Sequence, residues 1–303
     1  MPSRGRAGAW RKLATERANP GSRSLDRLGI ARTVALMQRE DRRVLAALAA
    51  ARPAIVRAAE VFRACFLAGR PCFLFGAGTS GRLAVLEAAE LPPTFGTDPR
   101  RVRALIAGGR SAVFRAREGA EDRAGEGARL ARGARPGDLV IGVSASSVTP
   151  FVRGALLTAK ARGARTVLVT ASASPGVARS AEILVRLDVG PEVVAGSTRL
   201  KAGTATKLAL NQITTSAFAA SGKVYGPWMV DLRAGSAKLK DRAARIVAAA
   251  CGLLPTRGRA LLSRAGGEVK TAIVMGRTGA SARRARALLQ AAGGDLRAAL
   301  VGS

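Results

Sequence analysis

The sequence predicts a doubly wound α/β fold built on a parallel sheet, with a helical N-terminal region before it and a small helical C-terminal subdomain after it. Short apolar runs alternate with segments of helical periodicity, which is the pattern of parallel strands joined by helices. A length of 303 residues allows one large domain with a smaller appendage. The predicted divisions are residues 1–55, 56–237 and 238–303.

Five short apolar runs are the predicted strands of this sheet. They are residues 72–75, 104–107, 139–143, 166–169 and 183–187. Residues 27–69 have apolar side chains at helical spacing, and 204–220 form a second long helical pattern. Further helices are predicted to end at Pro92-Pro93 and to begin at Ser111 and Pro150.

The charge of the chain is strongly positive, with 50 Lys and Arg against 20 Asp and Glu, for a net charge of +30. Such a charge suits a nucleic acid or an anionic membrane surface. The basic residues are spread through almost every segment, however, and form no tract with aromatic residues between them. We therefore expect neither a specific nucleic-acid partner nor a membrane partner.

Cysteine and leader patterns favour a cytoplasmic protein. Cys65, Cys72 and Cys251 are too few and too irregularly spaced for a disulfide framework or a zinc site. The N-terminus has no secretory apolar stretch, and nowhere do 18 apolar residues run together.

Histidine is absent from all 303 residues. This excludes histidine triads, histidine general bases and histidine metal ligands. Acid and base chemistry near neutral pH is then left to carboxylates, Lys, Tyr or Cys.

Two polar loops follow predicted strands and are the candidate phosphate sites. The first contains Gly78, Thr79, Ser80, Gly81 and Arg82 at a helix start, where free N–H groups and the helix dipole attract anions. A tight turn explains the same glycines equally well. In α/β sheets, ligands bind beyond the carboxyl ends of strands, which favours the ligand interpretation.

The second loop contains Ser144, Ser146 and Thr149, followed by Pro150 at a predicted helix start. Simple helix capping by Ser or Thr is the alternative explanation. Since both loops follow strands of one sheet, a single phosphorylated sugar could contact both.

Two glutamates are the candidate acid and base. Glu90 is predicted near a helix C-terminus, where the dipole disfavours a carboxylate and suits a general acid. Glu121 is predicted at the start of the next helix, where the dipole favours a carboxylate and suits a base. Two solvated surface residues would give the same pattern.

Several long motifs resemble a known family. The first is FGAGTSGRLAVLEAAELPPTFG at residues 75–96, and an N-terminal motif includes Thr15-Glu16 and Asn19-Pro20. The others are EGAED at 118–122, GPEVVAGSTRLKAGTATKLALN at 190–211 and GKVYGPWMVDL at 222–232. In this order the motifs resemble those of the N-acetylmuramic acid 6-phosphate etherases, which have the sugar isomerase (SIS) fold.

The resemblance implies a phosphorylated amino sugar as substrate, a homodimer, and neither a metal nor another cofactor. It implies that Glu121 removes the C2 proton of the open-chain sugar, while Glu90 assists departure of the 3-O-lactyl group. The products are then N-acetylglucosamine 6-phosphate and D-lactate, in cell-wall amino-sugar recycling. Phosphate contacts fall to the two loops above, and Ser197 and Lys201 line the same cleft.

One departure from the family concerns the second loop, where Ser147 and Val148 replace a Gly-Arg pair. Two alternatives to the etherase share the fold. One is a sugar-phosphate sensor resembling glucokinase regulatory protein, and the other is an SIS-type sugar-phosphate isomerase. Retention of Glu90 and Glu121 favours the enzyme that releases lactate.

Overall fold

A computed structural model describes residues 13–172, 179–232 and 237–301. Contacts divide the chain into two compact units. The first comprises the described residues of Met1–Ala88 and Arg100–Thr214, and the second those of Ala89–Pro99 and Thr215–Ser303. Residues 1–12 of the predicted N-terminal region, and 233–236 beside the predicted boundary at 237, lie outside the described residues.

A parallel sheet of five strands forms the centre of the first unit, in the order β2-β1-β3-β4-β5 among the described residues. The strands are β1 (Cys72–Gly76), β2 (Val102–Ile106), β3 (Leu139–Val143), β4 (Arg165–Thr170) and β5 (Ile183–Arg186). The register places Leu74 of β1 between Ala104 of β2 and Ile141 of β3. The predicted parallel α/β sheet is confirmed, with strand ends displaced by one or two residues.

Helices surround this sheet. They are α1 (Gly29–Leu67), α2 (Gly78–Phe95), α3 (Ser111–Phe114), α4 (Ala124–Ala131), α5 (Pro150–Ala161) and α6 (Lys201–Ala219). Helix α1 packs against β1, β3 and β5, whereas α5 packs against β1, β3 and β4. Even α1, at 39 residues, has no stretch apolar enough to cross a membrane, nor has any other helix in the described ranges.

Both faces of the sheet are buried, as expected for parallel strands covered by helices. On one face, Phe75 and Leu168 join a core with Phe151 and Leu156 of α5. Side chains of the opposite parity are buried as well, namely Leu74, Ile141, Val167 and Val185. Ala, Val and Leu therefore provide most of the apolar contact in a chain with few aromatic residues.

Helix α1 continues without interruption through the predicted domain boundary at residue 55. Its buried side chains recur every three or four residues along this stretch, at Leu48, Ile55 and Phe62 among others. Pro53 lies inside the helix on the exposed side. The N-terminal helical region and the sheet are thus parts of one compact unit.

Helix α2 does not end at Pro92-Pro93, contrary to the prediction, but continues to Phe95. Each proline removes one N–H donor from the helix, which normally favours a break. The helix continues because Leu91, before the two prolines, and Phe95, after them, are both buried, and the Phe95 ring stacks on that of Phe218 at 4.6 Å. Burial of these two side chains offsets the lost hydrogen bonds.

The second unit is mainly helical, as predicted for the C-terminal segment. In its described part, a short hairpin of β6 (Val224–Tyr225) and β7 (Trp228–Met229) precedes five helices. These are α7 (Ala237–Cys251), α8 (Pro255–Arg264), α9 (Val269–Thr278), α10 (Ala282–Ala291) and α11 (Leu296–Val301). They share one apolar core, and its contacts place the start of this unit at Thr215, earlier than the predicted 238.

Candidate active site

A cavity of about 320 Å³ lies beyond the carboxyl ends of β1, β2 and β3. The strand order changes direction between β1 and β3, and such a point is where open α/β sheets bind ligands. The described residues that line it are Glu16, Ala77, Gly78, Thr79, Ser80, Arg82, Ala107, Ala112, Ala116, Arg117, Glu118, Ala120, Glu121, Ala145, Ser146, Thr149, Gly196 and Thr198.

The first wall of the cavity is the start of α2. Gly78, Thr79 and Ser80 lie in the first turn, whose N–H groups have no partner within the helix. Two hydroxyl groups and the positive end of the helix dipole therefore face the same space, which suits a phosphate. Arg82 also lines the cavity, and its Nε donates to the carbonyl of Val113 at 2.8 Å.

Gly81 has a packing role and is not among the described residues that line the cavity, contrary to the prediction. Its N–H already donates to the carbonyl of Ala77, at 3.2 Å. A Cβ on Gly81 would lie 2.5 Å from Ile106 Cγ1 and 2.8 Å from the carbonyl oxygen of Gly76. Glycine here lets the start of α2 approach β1 and β2 closely, which fixes the position of the three residues before it.

The second wall is the loop between β3 and α5. Ser146 and Thr149 line the cavity, and Ser144 does not, because it is buried beneath them. The Ser144 and Thr149 hydroxyl groups are hydrogen bonded at 2.8 Å. Ser144 therefore orients Thr149, and Pro150 then begins α5 as predicted.

Ser147 has φ of 60° and is the only non-glycine residue with positive φ in the described ranges. It is fully buried, and its N–H donates to the carbonyl of Ser144 at 3.1 Å. A side chain in the left-handed region costs about 1 kcal/mol relative to glycine. Ser147, which replaces the family's glycine, thus has a backbone conformation that favours glycine and strains any other residue.

Three carboxylates also line the cavity. They belong to Glu121, Glu118 and Glu16, and all three side chains are exposed. Glu121 is not at a helix start, contrary to the prediction, because α4 begins only at Ala124. Its backbone carbonyl accepts a hydrogen bond from Phe151 N at 2.9 Å, which fixes the loop against the start of α5.

Comparisons with known proteins identify the family of this chain. A model of the glucokinase regulatory protein N-terminal SIS domain matches residues 60–160. The N-acetylmuramic acid 6-phosphate etherase of Gloeobacter violaceus is 47% identical over 265 residues, which cover 87% of this chain and 87% of that protein. That of Rubrobacter xylanophilus is 49% identical over 270 residues, covering 87% and 88%. This chain belongs to the N-acetylmuramic acid 6-phosphate etherase family.

The family assignment confirms the resemblance inferred from the motifs. Among solved structures, a phosphoheptose isomerase from Neisseria gonorrhoeae aligns with a TM-score of 0.48 and 17% identity. The alignment covers 62% of this chain and 98% of that one.

The prediction of site residues missed two carboxylates. Glu16 and Glu118 each belong to one of the etherase motifs, and both line the cavity together with Glu121.

Glu90, the predicted acid of the etherase motif, lies on α2 within the second unit. Its side chain is exposed, and its carbonyl accepts a hydrogen bond from Thr94 Oγ1 at 2.8 Å. One turn earlier, the carboxylate of buried Glu87 accepts hydrogen bonds from Asn211 and Thr214 of α6. These bonds fix the part of α2 that precedes Glu90.

Lys201 does not line the cavity, although the family motif suggested it. It is only 2% exposed, and its Nζ donates to Glu40 Oε2 at 2.6 Å and to the carbonyl of Pro191 at 2.7 Å. Ser197 is likewise not among the described lining residues, whereas its neighbours Gly196 and Thr198 are. The motif therefore contributes backbone and a threonine to the cavity, and its lysine is structural.

The Glu40–Lys201 pair belongs to a buried polar network. Asn19 Nδ2 donates to Glu40 Oε2 at 2.8 Å and to the carbonyl of Pro191 at 3.1 Å. Burial alone raises the pKa of Glu40, but hydrogen bonds from Lys201 and Asn19 outweigh it and hold the pKa below its ordinary value. This network fixes the segment that carries Glu16.

Glu192 connects the same network to the start of α6. Its carboxylate accepts hydrogen bonds from Ala202 N at 2.8 Å and Lys201 N at 3.2 Å, as a helix cap does. Burial raises the pKa of Glu192, and the two N–H donors and Lys201 only partly counteract it. Gly196 N also donates to the carbonyl of Thr15 at 2.9 Å, so the Glu16 segment and the Gly196 loop are joined.

We predict that Ser147→Gly is more stable than Ser147→Ala by about 1 kcal/mol in free energy of unfolding. Both variants lose the same hydroxyl group, so the difference isolates the backbone strain at φ of 60°. Urea denaturation measures it. In an ordinary helical or extended position, alanine is more stable than glycine by about 0.5–1 kcal/mol. A Ser147→Ala variant more stable than Ser147→Gly would therefore show that the backbone at this position is not strained.

We predict that Lys201→Met lowers the free energy of unfolding by about 3 kcal/mol, because it leaves Glu40 buried without its main partner. Glu40→Gln should cost less in the Lys201→Met background than in the wild type, which a double-mutant cycle measures. Arg186→Gln is the control, since the Arg186–Asp188 pair is more than half exposed. Additive losses would show that the pair contributes nothing specific.

Because the pKa of Glu40 is lowered, the stability difference between the wild type and Glu40→Gln depends on pH. Its stabilising contribution is present above the unfolded pKa of about 4.5 and is lost as pH falls through the lowered folded pKa. The stability difference between wild type and Glu40→Gln should therefore be constant at neutral pH and shrink below about pH 4.5. A difference that grows in acid would have the wrong sign.

Proposed function

We propose that this chain cleaves the D-lactyl ether of N-acetylmuramic acid 6-phosphate, giving N-acetylglucosamine 6-phosphate and D-lactate. The observation that carries the proposal is that the first turn of α2, the Ser146–Thr149 loop and Glu121 line one and the same cavity. The etherase relatives in Gloeobacter violaceus and Rubrobacter xylanophilus support the same substrate.

The reaction begins with removal of a proton. In the open-chain sugar the C1 aldehyde acidifies the C2 hydrogen, and the Glu121 carboxylate accepts that proton. The electron pair of the C2–H bond forms a C2=C3 double bond, and the C3–O bond to the lactyl group breaks. An exposed carboxylate is a competent base here, because the aldehyde has already made the C–H bond acidic.

Glu90 is proposed, from its place in the family motif, as the acid that protonates the departing lactate oxygen. Water then adds to C3, giving its proton to Glu90, while Glu121 returns its proton to C2. Both carboxyl groups regain their starting states, and one water is consumed for each lactate released. The chemistry uses only carboxylates, in agreement with a chain that has no histidine.

Phosphate binding is proposed for the first turn of α2, with its free N–H groups and the hydroxyl groups of Thr79 and Ser80. Ser146 and Thr149 complete this subsite from the opposite loop. Arg82, which follows this turn in α2, adds a positive charge to the lining of the same cavity. A phosphorylated sugar cannot cross a membrane freely, so we also propose a cytoplasmic location, in amino-sugar recycling.

A sugar-phosphate sensor is the second candidate, because the matching domain model is that of glucokinase regulatory protein. A sensor needs the phosphate subsite but no base. Glu121 in the cavity therefore favours the enzyme over the sensor.

We predict that the purified protein releases lactate from N-acetylmuramic acid 6-phosphate, and that Glu121→Gln lowers kcat by about 100- to 10,000-fold. In D₂O the product should carry one deuterium at C2. Glu90→Gln should still exchange the C2 hydrogen of the substrate while releasing lactate slowly. Mass spectrometry and a lactate assay measure both.

Glu182→Gln is the matched control for these variants, since Glu182 precedes β5 at the opposite edge of the sheet and pairs with Arg165. It should keep wild-type kcat. Binding of the sugar phosphate without any lactate release from the wild type would favour the sensor and exclude the etherase.

A homodimer is proposed as the working form, and exposed apolar side chains on α1 support it. Val34, Leu45, Val56 and Leu67 are exposed and follow one another at intervals of eleven residues, which is about three helical turns. Ile30 extends the row by one turn. Exposed apolar side chains that recur along one side of a long helix mark a surface that an assembly can cover.

We predict that Leu45→Glu converts a wild-type dimer into a monomer, because it places a charge in the centre of this row. Sedimentation velocity measures the mass. Leu254→Glu is the control, since Leu254 is equally exposed but lies outside α1. A monomeric wild type, or a dimer that persists in Leu45→Glu, would contradict this surface.

A further inference from the structure

A second cavity of about 540 Å³ adjoins the active-site cavity in the first unit. Four residues line both cavities, namely Ala116, Arg117, Glu118 and Ala120. The second cavity is completed by Gly108 and Arg123. Arg117 therefore lies at the junction, on the side of the cavity formed by the Glu118–Glu121 loop rather than at the start of α2.

Contacts hold the Arg117 side chain from Cβ to Nε and leave its two terminal nitrogens without a partner among the described residues. Its Nε donates to Ser111 Oγ at 3.2 Å. Its Cβ and Cγ pack on Gly108, since a Cβ built there would lie 3.1 Å and 3.3 Å from them. No carboxylate in the described ranges lies within 4 Å of its guanidinium, so its two terminal nitrogens are available to a ligand.

The proposed substrate carries two separate anionic groups, which need two separate partners. The phosphate on C6 suits the N–H groups and hydroxyl groups at the start of α2, beside Arg82. The lactyl group on C3 carries a carboxylate, and a planar guanidinium binds carboxylates through two parallel hydrogen bonds. Among the described lining residues, the cations are Arg82 and Arg117, and Arg82 belongs to α2, whose first turn carries the proposed phosphate subsite.

We propose that Arg117 binds the lactyl carboxylate and makes the site prefer muramic acid 6-phosphate over amino-sugar phosphates that lack it. The proposal rests on the proposed etherase function and names the residue that recognises the leaving group. Glu121 lies four residues along the same loop, which is fixed by the Phe151 N hydrogen bond. Binding the lactyl group at Arg117 therefore places the C2–C3 bond close to the base.

Arg117 contributes mainly to binding. The carboxylate keeps its charge throughout the elimination, so its contact with Arg117 is equally strong in the ground state and the transition state. Loss of such uniform binding raises KM and leaves kcat nearly unchanged. This separates Arg117 from Glu121, whose loss lowers kcat.

The test compares two ligands that differ by the lactyl group. Arg117→Gln should raise KM for lactate release by about 10- to 100-fold, as expected for loss of a charged hydrogen bond. Its Kd for N-acetylglucosamine 6-phosphate, measured by calorimetry, should change less than about twofold. Arg117→Lys should restore part of the KM. Arg123→Gln, which alters the second cavity alone, should change neither constant.

Three results would overturn the inference. An unchanged KM in Arg117→Gln would exclude the contact, and equal weakening of both ligands would place Arg117 at the phosphate or in the fold. A lower kcat at unchanged KM would assign it to the chemical step. If the wild type releases no lactate, the proposed function fails separately. Calorimetry with the intact substrate then still shows whether Arg117→Gln weakens the lactyl-bearing ligand alone.

Discussion

The buried ion pair between Glu40 and Lys201 is the interaction on which one wall of the active-site cavity depends. Two charges leave water when they pair in the core, and their attraction repays this only if further hydrogen bonds complete them. Asn19 and the carbonyl of Pro191 supply those bonds. Through them, helix α1, the segment that carries Glu16 and the start of α6 are fixed to one another, although they are far apart in sequence.

Much of the fold could be predicted because parallel strands have a strong local signal. Strands buried on both faces appear as continuous apolar runs, and all five runs became strands. The end of α2 could not be predicted in this way. Proline is a local signal to stop a helix, but burial of Phe95 against Phe218 depends on residues more than a hundred positions later.

The candidate site was predicted in part, for the same physical reason. Thr79, Ser80, Ser146 and Thr149 follow directly from where strands end, and all four line the cavity. The role of Lys201 required knowledge of Glu40, which lies 161 residues away. A cationic residue in a family motif suggests a phosphate ligand, and only the three-dimensional contacts show that the charge of Lys201 is already neutralised inside the protein.

The charge of the cavity bears on the absence of the family's arginine at the position of Val148. Three carboxylates face the cavity, yet a substrate with two anionic groups must enter it. Arg82, Arg117 and the positive end of the α2 dipole oppose the three negative charges. The high net charge of +30 adds a favourable long-range potential for anions. Because attraction is spread over several groups, we expect the proposed phosphate subsite to tolerate the loss of one arginine, and Ser147 adopts the backbone conformation that favours the family's glycine.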